Sequence, residues 1–193
     1  MKKQLVIAAA ALTASAAPAF AHLDPTAHGS LVAGLSHPLF GADHVLAMVA
    51  VGLWAAQTGG RALWAVPVAF VATMTLGFAL AITGAPLPFV EPAILASVVA
   101  LGLIVAMAMR LDAAKAAAIV GAFALFHGHA HGGEIGAAAI TSFAAGFAIA
   151  TALLHAAGIG LGMLLGKLPG GGSSVARLLG GLTAAAGAVL ILG

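Results

Sequence analysis

Apolar residues fall in six long blocks, at 30–56, 62–84, 88–110, 114–131, 136–166 and 174–193. Each is long enough to cross a hydrocarbon core of ~30 Å as a helix. The breaks between them are polar or rich in Gly and Pro: Gln57-Thr58-Gly59-Gly60-Arg61, Gly84 to Pro92, Arg110 to Lys115, and Lys167 to Ser174. The interval 128–135 reads less like a loop. A shorter apolar run, Leu5 to Ala14, follows Lys2 and Lys3 and precedes Pro18 and Ala19-Phe20-Ala21. That is the charged, apolar and A-x-A order of a secretory signal peptide, and the run is too short for a span of ~20 residues. The pattern predicts an all-α integral membrane protein: a signal peptide at 1–21, then a single six-helix transmembrane domain at 22–193 with both mature termini in the periplasm.

Composition supports the membrane assignment. The chain has 193 residues, of which 63% are hydrophobic and only 6% charged, against about a quarter charged in soluble domains. So few charges exclude an ordinary soluble enzyme, a nucleic-acid binder working through a basic surface, and a disordered tail. The absence of cysteine removes disulfides, thiolate metal sites and thiol nucleophiles. Two of the seven bases lie in the signal peptide. The other five, Arg61, Arg110, Lys115, Lys167 and Arg177, all fall in connections that an exported N-terminus and six spans place in the cytoplasm, as the positive-inside rule requires. The location this implies is the bacterial inner membrane. Gly158, Gly162 and Gly166 form two successive G-x-x-x-G steps, read as a packing surface within the bundle or between copies in a homo-oligomer.

Eight histidines are many for so apolar a chain, and they outnumber the acids. Most sit in two clusters, His37-Pro38-Leu39-Phe40-Gly41-Ala42-Asp43-His44 in the first span and Phe126-His127-Gly128-His129-Ala130-His131-Gly132-Gly133-Glu134 at the end of the fourth. Ionisable side chains within a membrane span cost several kcal/mol and mark function. His44 lies 13 residues before Gln57 and His127 lies 12 after Lys115, so both stand roughly 18–20 Å from the cytoplasmic face. The clusters can meet if the first and fourth spans pack together. His37 and His44 are seven apart, ~10 Å along a straight helix and too far to share one ion, but Pro38 and Gly41 can break or bend that helix. His127 and His131 are four apart on one face, and Glu134 shares it. Asp43 is a candidate ligand, or an acceptor orienting an imidazole. Imidazole with carboxylate suits nickel, cobalt, zinc or copper(II) rather than calcium or magnesium.

These residues also resemble a known family. His37-x5-Asp43-His44 and Phe126-His127-Gly128-x-Ala130-His131-Gly132-x-Glu134 are similar to the two signature motifs of the HupE/UreJ family, bacterial nickel and cobalt permeases linked to hydrogenase and urease maturation. The resemblance covers the whole chain. It implies nickel, with cobalt second, as transported ion, and His37, Asp43, His44, His127, His131 and Glu134 as its metal site. The expected activity is secondary transport into the cytoplasm: the chain is not an enzyme, and it has no nucleotide-binding G-x-x-x-x-G-K-[ST] loop. The alternatives are an intramembrane metalloenzyme using the same cluster, disfavoured by the lack of H-E-x-x-H, a serine protease, disfavoured by the lack of G-x-S-x-G, and a haem-binding electron carrier.

The remaining polar residues are weaker candidates. In a continuous helix His129 faces away from His127 and His131, so ligand and bystander stay open. His22, which cleavage would make the N-terminal residue, and His28 are candidates for capturing metal outside the membrane. His155, alone in the fifth span, is expected to bond a neighbouring helix, with an exit ligand as the functional alternative. Glu91 is expected to cap an outer loop and Asp112 to neutralise its basic neighbours.

Overall fold

The first apolar block is where sequence pattern and backbone diverge most. In the computed structural model, which describes residues 30–133, 140–169 and 172–193, this block is two helices. They are α1 (Ser30–Phe40) and α2 (Ala42–Thr58), meeting at Gly41 with an 87° bend. Pro38 lies in the last turn of α1, where its ring and missing N–H weaken continuation of the helix. Gly41 is extended (φ −92°, ψ 113°) and opens α2. The straight-helix distance between His37 and His44 therefore does not apply.

The other blocks give one helix each: α3 (Ala62–Ile82), α4 (Val90–Ala106), α5 (Ala113–Gly133), α6 (Ile140–Gly166) and α7 (Gly172–Leu192). Helix α5 carries the second histidine motif as far as Gly133, so most of the 128–135 interval is helical. Among the described residues there are no strands. Helices α3, α6 and α7 are long and apolar enough to cross a membrane, and the bent α1–α2 pair is a fourth candidate. Helix α4 has only 17 residues, and α5 ends in a His- and Gly-rich turn that lowers its hydropathy. Among the described residues the chain is thus all-helical, with several membrane-length apolar helices, consistent with a membrane protein. Residues 1–29, which include the expected signal peptide together with His22 and His28, lie outside the described residues, as does Glu134.

Glycine sets how closely the helices approach. Lipid provides no hydrophobic force between helices, so association depends on close van der Waals contact. A Cβ at Gly128 of α5 would fall onto the backbone carbonyl of Met74 in α3, and one at Gly77 of α3 onto the carbonyl of Leu125. The α2–α6 seam repeats this, with Gly158 against the carbonyl of Val49 and Gly162 against Ala56. Two members of the G-x-x-x-G series therefore pack within the chain, while Gly166 meets nothing within 4 Å. These seams give α5 its main neighbour in α3, whereas α1 and α2 pack chiefly on α6. The first and fourth spans are not principal partners; their polar side chains meet across the bundle interior.

At the opposite end, α4 stops against three side chains. Trp54 Nε1 donates to the carbonyl of Met109 (2.7 Å), Gln57 Nε2 to Val105 (3.2 Å) and Arg177 Nε to Ala106 (2.8 Å). Val105 and Ala106 close the last turn of α4 and Met109 lies just beyond it, so these donors satisfy carbonyls at and past a helix end, where regular i→i−4 pairing has stopped. Asp112 then opens α5: its Oδ1 accepts from the Lys115 backbone N–H (3.0 Å) and its Oδ2 pairs with Lys115 Nζ at 2.9 Å. These hydrogen bonds to Lys115 hold the Asp112 carboxyl below the usual carboxylate range. Glu91 lies in the first turn of α4, where a negative charge suits the helix dipole.

Candidate metal centre

The break at Gly41 and the straight run of α5 bring the two motifs together. His37 Nε2 lies 2.7 Å from His131 Nδ1, and His131 Nε2 lies 2.6 Å from His44 Nε2. The ring centroids of His44 and His127 are 4.8 Å apart. Asp43 Oδ1 is 3.0 Å from His44 Nδ1. Five of the six main-cluster residues thus form one group, and the sixth, Glu134, lies outside the described residues.

Gly41 also makes room for this arrangement. A Cβ there would stand 2.8 Å from Asp43 Oδ1 and 3.0 Å from His44 Nδ1. A side chain at position 41 would therefore push against the carboxylate–imidazole pair. The same residue bends the helix and leaves the pair its space.

For neutral rings beside an ionised Asp43, the proton positions follow in sequence. His44 Nδ1–H donates to Asp43, so His44 Nε2 accepts from His131 Nε2–H. His131 Nδ1 then accepts from His37 Nε2–H. Among the described residues no group of three His, Asp or Glu side chains is arranged to hold a metal ion; the rings bond one another instead. Bonds of ~2 Å from one ion to two imidazoles would set the nitrogens about 3 Å apart or more, so the rings must part slightly to ligate together.

His127 differs from these three. It is 0% exposed, and its Nε2 lies 2.9 Å from Ser97 Oγ. Ser97 spends its single proton on the carbonyl of Ile94 (2.6 Å), so its oxygen accepts from His127 Nε2–H. The neutral ring then presents an unprotonated lone pair at Nδ1, and that atom has no hydrogen-bond partner. A buried acceptor left unpaired costs about 1–3 kcal/mol. Ser97 holds the ring in the tautomer that offers Nδ1 outward, which is how an orienting partner serves a ligating histidine.

Apolar rings enclose the group. Phe147 lies 4.7 Å from His131 between centroids, Phe143 5.5 Å from His37, and Phe70 5.7 Å from His127. Ser97 and these phenylalanines are not legible as site residues in the sequence, since each lies in an apolar block with no ionisable neighbour to mark it.

His129 stands apart. Its Nε2 donates to the carbonyl of Ala85 at 2.8 Å, tying α5 to the α3–α4 connection. The opposite-face expectation for a continuous helix describes its placement. His155 corrects an expectation: it makes no interhelical hydrogen bond, and both ring nitrogens are buried without a partner.

Fold and site together define a class: an all-helical membrane protein with a histidine and carboxylate group enclosed among its helices. A protein-family model described as "HupE / UreJ protein" matches residues 10–190. The chain is also 49% identical over 185 residues to "Protein HupE" of Rhizobium leguminosarum bv. viciae, covering 94% of this chain and 95% of that protein. The chain belongs to the HupE / UreJ family. No solved structure matches it.

Proposed function

We propose that this protein carries nickel ions, with cobalt as the second candidate, across the bacterial inner membrane into the cytoplasm by secondary transport. In this reading residues 1–21 are a signal peptide, and six spans follow, the α1–α2 pair counting as one, with both mature termini periplasmic. The ligands are His37, Asp43, His44, His127 and His131, joined by Glu134. His22 and His28 would collect metal outside the membrane. The ion serves the maturation of hydrogenase or urease, the role that family resemblance suggests.

The observation carrying this reading is His127 Nδ1, a fully buried lone pair with no partner, beside the ring of His44. Such an atom is costly in an apolar interior and is what a borderline divalent cation binds. The hydrogen-bonded rings of His37, His131 and His44 supply further nitrogens once they part, and Asp43 offsets positive charge. Because imidazoles must be deprotonated to ligate, acidification should slow uptake. Catalysis is not required by any of these groups.

Uptake of radiolabelled Ni²⁺ by cells carrying the wild type, His44→Ala or His127→Ala tests the proposal. Both substitutions should reduce uptake at least tenfold at equal protein abundance in the membrane. Wild-type rates in both would refute it.

A further inference from the structure

His155 is 1% exposed, and neither ring nitrogen has a hydrogen-bond partner. Imidazole carries a donor and an acceptor when neutral, so this ring leaves two polar atoms unsatisfied in an apolar interior. Leucine would fill the same space without that penalty. It is therefore a candidate for function rather than packing.

Its position is set by two independent helix registers. Along α6 and α3, Thr151 Oγ1 meets Met74 Sδ at 3.5 Å, and one turn further His155 meets Phe70, with centroids 4.9 Å apart. On the other side of α3, Gly128 of α5 packs against Met74, which sets His127 near that level. Along α2 and α6, Gly158 packs on Val49 and Gly52, and Gly162 on Ala56, which sets His155 four to five positions past His44. Both registers put His155 a little over one turn, ~6–8 Å, beyond the histidine group. The direction is toward the end of the bundle that carries Arg61, Lys115 and Lys167. The Phe70 ring is next to both imidazoles, with centroids 5.7 Å from His127 and 4.9 Å from His155.

Beside His155 lies an apolar cleft of about 450 Å³ between α3 and α6, lined by Trp64, Pro67, Val68 and Val71 and by His155 and Ile159. His155 is the ionisable group on its wall.

We infer that His155 is a second, inner metal ligand: a single-imidazole transit site that receives a divalent cation from His127 past Phe70 and releases it toward the cytoplasmic end. One imidazole, with water in the remaining coordination positions, binds weakly. A site on an exit path should bind weakly, because passage needs sites that the ion can leave. The inference rests on the transport reading above and deepens it.

The test compares His155→Leu and His155→Cys with wild type in the full-length protein, by Ni²⁺ uptake in cells and by equilibrium Ni²⁺ binding and thermal melting of the purified protein. His155→Leu should lower the maximal uptake rate at least tenfold, leave Ni²⁺ affinity at the His37–His44–His127–His131 group unchanged, and melt no lower than wild type. His155→Cys, which restores a donor atom, should recover part of the rate. Wild-type uptake by His155→Leu would overturn this inference and leave the transport reading standing. Loss of binding together with uptake in His155→Leu, or equal inactivity of both variants, would overturn it as well, by assigning the residue a structural role. A wild type that takes up no Ni²⁺ would instead overturn the transport reading and this inference with it.

Discussion

The two halves of the histidine group sit on opposite kinds of backbone. His37, Asp43 and His44 flank an 87° break at Gly41, while His127 and His131 ride an unbroken helix held against α3 at Gly128. The broken half can change the spacing of its side chains through one joint. The continuous half has its register fixed by backbone contact over several turns. The difference suggests a division of labour: α5 is the fixed wall of the site, and the α1–α2 joint is the part that adjusts when rings part around an ion.

That comparison can be broken most severely at Gly128. In Gly128→Leu the new side chain must displace the backbone of α3 at Met74, and no flexible neighbour can absorb it. Destabilisation should reach or exceed the upper end of the ~1–3 kcal/mol of ordinary overpacking, read as a large drop in melting temperature and in membrane abundance.

At the joint the outcome should differ in kind. The backbone at Gly41 is open to any residue, so Gly41→Val acts through contact with Asp43 and His44. Nickel affinity should fall about tenfold to a hundredfold while melting temperature changes little, as titration of the purified protein would show. A Gly41→Val protein that binds normally would remove the joint from the account.

Ser97 sharpens the contrast from the side of the fixed wall. Ser97→Ala frees His127 to change tautomer without altering the fold of α5. Affinity should weaken about tenfold, at the mild end of effects seen for residues that orient a ligand, and Ser97→Thr should retain most of it.

The smallest effect is expected at the start of α5. Asp112→Ala removes the cap at the Lys115 N–H and should lower the melting temperature slightly without affecting nickel uptake. The folded carboxyl titrates below its ordinary value. Its contribution is therefore fully present above that ordinary range and is lost as pH falls below it and through the lowered folded value, so wild type and Asp112→Ala should converge in melting temperature on strong acidification.

Much of this architecture is legible in the chain. Long apolar blocks and Gly- or charge-rich breaks locate α3 to α7 to within a few residues and the outer limits of the α1–α2 pair, because a membrane interior forces each segment to satisfy its own backbone. Nearly equal residue counts from the basic ends, 13 and 12, place His44 and His127 in one layer, and the four-residue spacing of His127 and His131 puts them on one face. The bend is hinted at by Pro38 and Gly41, but its angle depends on what α1 packs against. Ser97 and Phe70 carry no signal at all, since a serine or phenylalanine in an apolar block looks the same whether or not a histidine from another helix lies beside it. His155 is visible as a polar residue in a span, yet its lack of any partner is a property of three dimensions. The expected contact between the first and fourth spans is met by side chains alone, because the glycines of α5 face α3.

The central claim is that imidazoles from both motifs ligate the same ion. X-ray absorption spectroscopy of the purified, nickel-loaded protein tests it most directly. We predict a nickel shell of nitrogen and oxygen at ~2 Å with outer-shell scattering from several imidazoles, reduced in His44→Ala and again in His127→Ala. A spectrum without imidazole scattering, or one unchanged by both substitutions, would contradict the claim.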